Sequence, residues 1–481
     1  MGLKEKTVKS VKWNAIATGV TMLVQIFQLA ILTHLLEKSD FGIVAIASMI
    51  ISFTDIFSEM GIAVALIHKQ DISQDEYSSV YWLNIFVSII ICLLTILLAP
   101  IVADFYDEPI LKTIIMWFSL KILFNAFGKM FYTIRIKNLD FAFISKVRII
   151  SAIIGGALTI FLAYKGFGVM SLVYGQLFGV GINQLVFALS GLSENRIKFH
   201  FSFKEVRPFL NIGIFQLGTQ MLDFVAGRLD VFLIGKFCSM ADLGVYNIAK
   251  DLIIKPYSII NTVSSSVFSA TFAKMQDNIS RLIDSFRKII RMTSIIAIIV
   301  YTSLFILADL VVSILYAPQF SEVAIFIRIL SLIGIFAAIT SQAATVMIAT
   351  GRTDLGFRWT IVRLFLSVIF ILSTAPFGVY HIAVGQTVLE MLSLFIYFFI
   401  IIKPILKDIT LGQYIDTFWR ELSFSILFSV VLYFLLLTLG NAIVLQVVGA
   451  ILFNAIFVLL LYKKDAPFCK EIIGMCLPKK H

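Results

Sequence analysis

The sequence is short of charge. Lys, Arg, Asp and Glu together make up 14% of its 481 residues, where ordinary soluble domains carry about 25%. A soluble fold of this length needs more polar surface than these residues can supply, and a 59% hydrophobic content excludes disorder. Cysteine is also scarce. Cys92, Cys238, Cys469 and Cys476 lack metal-ligand spacing, and Cys92 lies inside an apolar run, so no disulfide framework is readable. The five histidines are scattered, with no HExxH motif and no His/Asp/Ser constellation, so no metal site, cofactor or catalytic residue is expected. A phosphate-binding GxxxxGK[ST] loop is missing, and no connection between apolar stretches exceeds roughly 20 residues. These absences disfavour ATP-driven pumps and enzymes with a soluble catalytic domain.

What the chain has instead is a series of long apolar stretches bounded by Pro, Gly and charge, read as transmembrane helices. They fall at 13–35, 41–66, 79–103, 110–134, 147–165, 168–190, 208–235, 243–272, 292–316, 322–349, 357–376, 378–402, 418–438 and 441–462. The expectation is an all-α polytopic membrane protein with about 14 spans. The basic start (Lys4, Lys6, Lys9, Lys12) precedes an apolar run too long for a signal peptide, so that run is expected to stay as the first helix. The net charge of +10 would suggest nucleic acid in a soluble protein; in a membrane protein it points to cationic cytoplasmic loops, and no nucleic-acid partner is expected. With the N-terminus inside and spans alternating, 28 of the 39 Lys and Arg are cytoplasmic, four are external and seven stay within spans. Both termini are therefore expected in the cytoplasm.

Self-similarity is the most specific signal. Phe167-Gly168-Val169 with Gly175-Gln176 recurs as Phe377-Gly378-Val379 with Gly385-Gln386. Asp40-Phe41-Gly42-Ile43 with Ile46-Ala47 recurs as Asp242-Leu243-Gly244-Val245 with Ile248-Ala249. Tyr106 pairs with Tyr316, Ser119-Leu120 with Ser331-Leu332, and Asp140 with Asp354, at slowly drifting offsets. Spans one to six thus correspond to seven to twelve. Six is even, so the two repeats run parallel, as in one class of secondary transporters. The expected organisation is a lobe over 1–205, a second over 206–405, and two extra helices with a cytoplasmic tail over 406–481.

Glu59-Met60-Gly61-Ile62, Ile67-His68-Lys69-Gln70-Asp71-Ile72-Ser73 and Ser78-Ser79-Val80-Tyr81-Trp82-Leu83-Asn84 resemble the polysaccharide-transporter (Wzx-like) branch of the multidrug/oligosaccharidyl-lipid/polysaccharide flippase superfamily. The chain is most similar to its colanic-acid and teichuronic-acid exporter group. The likeness extends over the twelve repeat helices and is strongest in the first 180 residues. It implies a V-shaped, two-lobed bundle in the bacterial cytoplasmic membrane that flips a polyprenyl-diphosphate-linked oligosaccharide outward. The family often has Asp where Glu59 stands, and a proline before Asp40 that this chain lacks.

The charges read as lying within spans are seven cations, Lys121, Lys129, Arg228, Lys250, Lys255, Arg328 and Arg363, and six carboxylates, Asp55, Glu59, Asp223, Asp230, Asp251 and Glu390. Each costs about 2.5–3.5 kcal/mol at a helix centre, so they are expected to face water or one another and enclose a polar cavity. For Asp251 with Lys255 and for Arg228 with Asp230, a structural ion pair and a functional role weigh about equally. Arg148 matches Arg363 within one residue of alignment, and a cation in each lobe suits an anionic diphosphate. Candidate headgroup ligands are Arg148, Arg228, Lys250, Lys255 and Arg363. Asp55, Glu59 and Glu390 are candidates for coupling to a proton or sodium ion. Asn84, Asn125, Gln216, Gln220 and Asn247 are candidate sugar contacts, and Pro256 is a candidate hinge. Expected partners are the lipid-linked anionic oligosaccharide and membrane lipids, with the protein a monomer. A cation-coupled drug exporter of the same superfamily and a membrane glycosyltransferase or polymerase are the rivals.

Overall fold

A computed structural model describes residues 3–59, 66, 72–194, 197–273, 279–439 and 443–466, and within these it contains helices and turns but no strand. This follows from the solvent: hydrocarbon satisfies no backbone N–H or C=O, so each span must bond internally. The first half supplies α1 (Leu3–Leu32), α2 (Lys38–Glu59), α3 (Gln74–Phe105), α4 (Ile110–Lys137), α5 (Phe141–Tyr164) and α6 (Val169–Glu194). Then come α7 (Phe203–Phe237), α8 (Met240–Ala273), α9 (Ile279–Ile306), α10 (Ala308–Leu315), α11 (Val323–Ala349), α12 (Thr353–Thr374) and α13 (Val379–Tyr397). The last long helices are α14 (Trp419–Leu439) and α15 (Ile443–Lys464).

Eleven helices among the described residues are long and apolar enough to cross a membrane. The chain is a multi-pass membrane protein. Helices α7, α8 and α14, of 35, 34 and 21 residues, lie over the seventh, eighth and thirteenth apolar stretches. The ninth stretch departs from expectation. Its helix starts at Ile279, well before 292, and breaks at Leu307. The early turns carry Arg281, Asp284, Arg287 and Arg291, which conceal them among apolar runs, while Leu282, Phe286, Ile289 and Ile290 are buried along one stripe.

Local signals set several of the helix starts. Ser73 and Glu76 form a reciprocal capping box at α3. The side chain of Asp140 accepts from the Phe143 N–H at the start of α5. Gly168 and Gly378, equivalent in the repeat, both have positive φ (53° and 93°) just ahead of α6 and α13. A side chain there would be strained, which is why the motif keeps glycine twice.

By compactness the chain divides into two units, one of residues 1–247 with 315–317 and one of 248–314 with 318–481. In the first, α5 packs on α1 and α6, and α4 on α2, α3 and α6. A Cβ on Gly175 would fall 1.8 Å from Oγ1 of Thr159, so the α5–α6 approach is close enough to require glycine. Its repeat mate Gly385 meets Thr374 at 3.0 Å between α12 and α13 in the second unit. Gly42 and Gly244 face each other inside the first unit. A Cβ on Gly42 would lie 2.0 Å from the Met240 carbonyl oxygen, and one on Gly244 2.0 Å from that of Lys38. The duplicated motif therefore packs on its own copy.

In the second unit α11 packs on α9 and α13, and α14 and α15 pack on α9. Polar side chains hold these last helices. Asn454 donates to Oγ of Ser303 at 3.0 Å, Thr302 and Ser425 share a hydroxyl bond, and Arg291 pairs with Asp465 at 2.7 Å. Arg328, one of the intramembrane cations, forms an ion pair with Asp309. Asp309 lies in the ninth stretch but is not among the six carboxylates expected within spans. Gln446 donates to Asp309 at 2.9 Å and accepts from the Leu310 N–H at 3.2 Å. It thereby satisfies a donor at the start of α10 that the break at Leu307 leaves without an intrahelical partner.

Gly42→Ala and Gly244→Ala should each cost at least about 1–3 kcal/mol, because the added methyl meets backbone and not a movable side chain. Gly218→Ala, with nothing within 4 Å, is the matched control. Thermal unfolding in detergent checks this; equal melting of all three variants would contradict the packing.

Candidate functional site

The first unit gathers a polar network from three helices. Lys121, Asn125 and Lys129 are four-residue steps on α4 and form one stripe. Asn125 donates to Asp55 of α2 at 3.3 Å and accepts from Gln184 of α6 at 3.0 Å. Lys121 donates to Oε1 of Gln176 at 2.8 Å and lies 3.7 Å from the Phe118 ring centroid. Both lysines act on Asp55 electrostatically. Among the described residues the charged members of this cluster are Lys121, Lys129 and Asp55. Neither lysine nor either glutamine is among the site residues expected from sequence. The signals that could have found them are the four-residue spacing on α4 and the place of Gln176 in the repeat motif.

The second unit places Arg363 of α12 3.2 Å from Glu390 of α13. The carboxylate is buried (9% exposed), while the guanidinium side chain is 41% exposed, so the pair presents its cation outward. Tyr257 of α8 lies within hydrogen-bonding reach of Ser341 and within the field of both charges. Lys255 interacts with Asp251 one turn before it. Lys250 and Asn247 are half-buried, and both are engaged in interactions. Helix α8 continues through Pro256. Pro256 deprives the Leu252 carbonyl of its helical donor, and the neighbouring Ile253 carbonyl accepts from the buried Tyr301 hydroxyl at 2.9 Å.

Arg148 on α5 donates to the hydroxyls of Thr18 and Thr21 on α1 at 3.0 and 3.3 Å. Its partners are neutral, so its charge is oriented but not cancelled. Arg228 and Asp230 are two residues apart and point to different sides of α7. Asp230 is buried and accepts from the Tyr246 hydroxyl at 2.6 Å, whereas Arg228 borders an apolar cavity. Asn84 donates to the Ala126 carbonyl at 3.2 Å, and Gln220 is half-buried. Glu59 and Gln216 lie outside the residues whose side chains are described. The sequence-expected residues thus fall into separate groups: Asp55 with Asn125, Arg363 with Glu390, Lys255 with Asp251, and Arg148 and Arg228 each without a carboxylate partner among the described residues.

A family described as "Polysaccharide biosynthesis protein" matches residues 31–325. The chain belongs to this family. Its curated relatives include lipopolysaccharide biosynthesis protein WzxC of Escherichia coli, 24% identical over 90% of this chain and 88% of that one. Teichuronic acid biosynthesis protein TuaB of Bacillus subtilis is 22% identical over 74% of each chain. Among solved structures, the lipid II flippase MurJ in an inward closed conformation superposes with a TM-score of 0.76 at 15% identity, covering 94% of this chain and 98% of that one. A multidrug-resistance transporter of the MOP superfamily, inward-facing, gives 0.65 over 82% and 99%. These likenesses place the chain in the MOP fold.

In this polysaccharide biosynthesis protein the Ser78–Asn84 motif holds the linker between α6 and α7. Ser78 accepts from the Lys198 N–H at 3.0 Å, and the Trp82 indole donates to the Lys198 carbonyl at 2.9 Å. Trp82 also stacks on Phe199 at 5.1 Å. Ser79 accepts from the Ser202 N–H at 3.0 Å and donates to Glu205 at 2.6 Å, and His200 faces the other Glu205 oxygen at 3.0 Å. The Ser79 bond first, then His200, holds the Glu205 carboxyl below the usual carboxylate range. A depressed carboxyl contributes stability that is present above its ordinary value and lost as pH falls through the folded-state value.

Ser79→Ala and Trp82→Ala should therefore speed proteolysis within 197–203 several-fold at neutral pH. Acidification below the ordinary carboxylate range should do the same to the unaltered protein. Limited proteolysis with mass-spectrometric mapping reads both, and cleavage indifferent to substitution and pH would contradict the tether.

Proposed function

We propose that this chain is a flippase that moves a polyprenyl-diphosphate-linked oligosaccharide from the inner to the outer leaflet of the bacterial cytoplasmic membrane. It does so without chemistry of its own. The observation that carries the reading is Arg148: a cation in a membrane helix, bonded to two hydroxyls and to no carboxylate among the described residues. An arginine so held keeps donors for phosphate oxygens, which it binds in a fork. Lys121 and Lys129 around Asp55, and the outward-turned Arg363, favour the same anionic cargo. Membership of a polysaccharide biosynthesis family, with relatives named for lipopolysaccharide and teichuronic acid biosynthesis, supports a glycan as the rest of it.

In this reading Arg148, Arg228, Lys250, Lys255 and Arg363 bind the diphosphate. Gln216, Gln220, Asn247, Asn84 and Asn125 contact the sugars, and the prenyl tail stays in lipid. Lobes at 1–205 and 206–405 open alternately to the two sides, with the turn at Pro256 as hinge, helices beyond 406 added, both termini cytoplasmic and the protein a monomer. An inside-negative potential favours export of an anion by about 2.3 kcal/mol per charge per 100 mV. Asp55, Glu59 and Glu390 are the candidates for coupling to a proton or sodium ion. Asp55 is a better proton than sodium site, because two lysines already supply the positive charge that a bound metal ion would bring.

Lys250→Ala and Arg363→Ala should each lower flipping of a defined lipid-linked oligosaccharide in proteoliposomes at least tenfold, with unchanged membrane levels. Normal flipping by both variants would refute the cation assignment. Preferential binding of an organic cation would favour the drug-exporter reading, and glycan elongation by purified protein the polymerase reading.

A further inference from the structure

Three helices of the second unit meet at one end. Arg291 of α9 lies 2.7 Å from Asp465, just past α15, and 3.9 Å from Glu421 in the first turn of α14. Lys464 approaches the same Glu421 oxygen at 3.5 Å. Helix lengths fix the depth of this junction. Helices α14 and α15 have 21 and 22 residues, which at 1.5 Å per residue is about 32 Å, the thickness of the hydrocarbon layer. The junction at their ends therefore marks one edge of the hydrocarbon. Trp419 and Tyr462, both exposed there, suit an interfacial aromatic belt. Helix α9 begins at Ile279, about 18 Å ahead of Arg291 along its axis. Its first three turns thus project past that edge.

Arg287 stands on that projection, one turn ahead of Arg291 on the same face and about 6 Å beyond the edge. Headgroups add about 5–7 Å to each side of the hydrocarbon, so this is the depth of lipid phosphates. Arg287 is half-buried, and its Nε is enclosed without an acceptor. Among the described residues it forms no hydrogen bond or ion pair, and its terminal nitrogens are not enclosed. The carboxylates of the junction are already engaged, Glu421 by Arg291 and Lys464, and Asp465 by Arg291. Two further cations, Arg420 at the start of α14 and Lys463 at the end of α15, are exposed and have no partner among the described residues. The exposed carboxylates of Asp284 and Asp416 pair with none of the three. A donor withdrawn from water without an acceptor is costly, and a phosphate bound by the guanidinium relieves that cost.

We propose that this junction binds the phosphate of an anionic phospholipid such as phosphatidylglycerol, with Arg287 as the phosphate ligand. Arg420 and Lys463 select for net negative charge, because they repel the ammonium group of a zwitterionic headgroup. Depth favours a lipid over a soluble anion. At the edge of the hydrocarbon a phosphate anchored by its own chains is present at high local concentration. Place in the fold separates the site from the transported cargo, since α14 and α15 lie outside the duplicated repeat and the junction is at their ends. A lipid seated there binds the folded state alone and so stabilises the second unit. The site does not depend on the flippase reading; it needs only that the chain spans a membrane.

The test follows native mass spectra and thermal unfolding of the full chain in detergent with phosphatidylglycerol, phosphatidylcholine, inorganic phosphate or farnesyl diphosphate added. Phosphatidylglycerol should bind about tenfold more tightly than phosphatidylcholine and raise the melting temperature. Arg287→Ala should lower its affinity about tenfold and remove most of that rise, and Arg287→Lys should lower it less. Lys165→Ala, which removes an exposed cation of the first unit, should leave binding unchanged. Without lipid, Arg287→Ala should melt with the unaltered protein, because it removes no bond; earlier melting would make Arg287 a packing residue and overturn the site. Equal binding of the two phospholipids would overturn it too. Displacement of phosphatidylglycerol by an equal concentration of inorganic phosphate would reassign the site to a soluble anion, and displacement by farnesyl diphosphate to the cargo; either result sinks the proposal.

Discussion

Hydrocarbon offers a charged side chain no partner, and the placement of the intramembrane charges in this protein follows from that. A charge in a span must be cancelled by a carboxylate, oriented by neutral dipoles, or left for a ligand. All three solutions occur. Arg328 is cancelled by Asp309, and Gln446 extends that pair to the start of α10. Arg148 is oriented by two threonine hydroxyls, and the apolar stem of Arg228 borders a cavity without polar surface. The first solution builds structure. The other two leave positive charge without a carboxylate partner among the described residues.

The same solvent explains the glycines. With lipid as apolar as the side chains, helices gain little from hiding apolar surface against one another and associate through close packing. Gly42 with Gly244 and Gly175 with Thr159 let helices approach to distances that no Cβ would allow, and Gly385 with Thr374 is a tight contact that a Cβ would crowd. Two of these contacts are copies of each other in separate units, and the third brings the two copies of one motif together. The duplicated residues thus serve the same packing purpose. The charges are not duplicated in the same way, and there the halves differ in chemistry.

Much of the fold is legible in the sequence because its determinants are local. Length and apolarity mark the helices, and Gly168 and Gly378 mark two turns through their positive φ. The ninth span is the exception, because an amphipathic helix needs only one apolar stripe, and the charges of its first turns read as a loop. At the candidate site, spacing puts Lys121, Asn125 and Lys129 on one face, but nothing in the sequence says that Asp55 and Gln184 meet that face. The Ser78–Trp82 motif is recognisable as a signature of kinship; only its bonds to 197–205 show that it holds a linker.

The sequence by itself determined that this is a helical, duplicated, multi-pass membrane protein, because hydropathy, helical period and repetition are properties of the chain read in order. Tertiary structure decided which charges are consumed and which remain. Residues far apart in sequence, such as Arg148 and Thr18, Asp309 and Gln446, or Arg228 and Phe53, become neighbours only when helices pack. A charge has no meaning in a membrane until its neighbours are known, since they decide whether it is neutralised, held or left to a ligand.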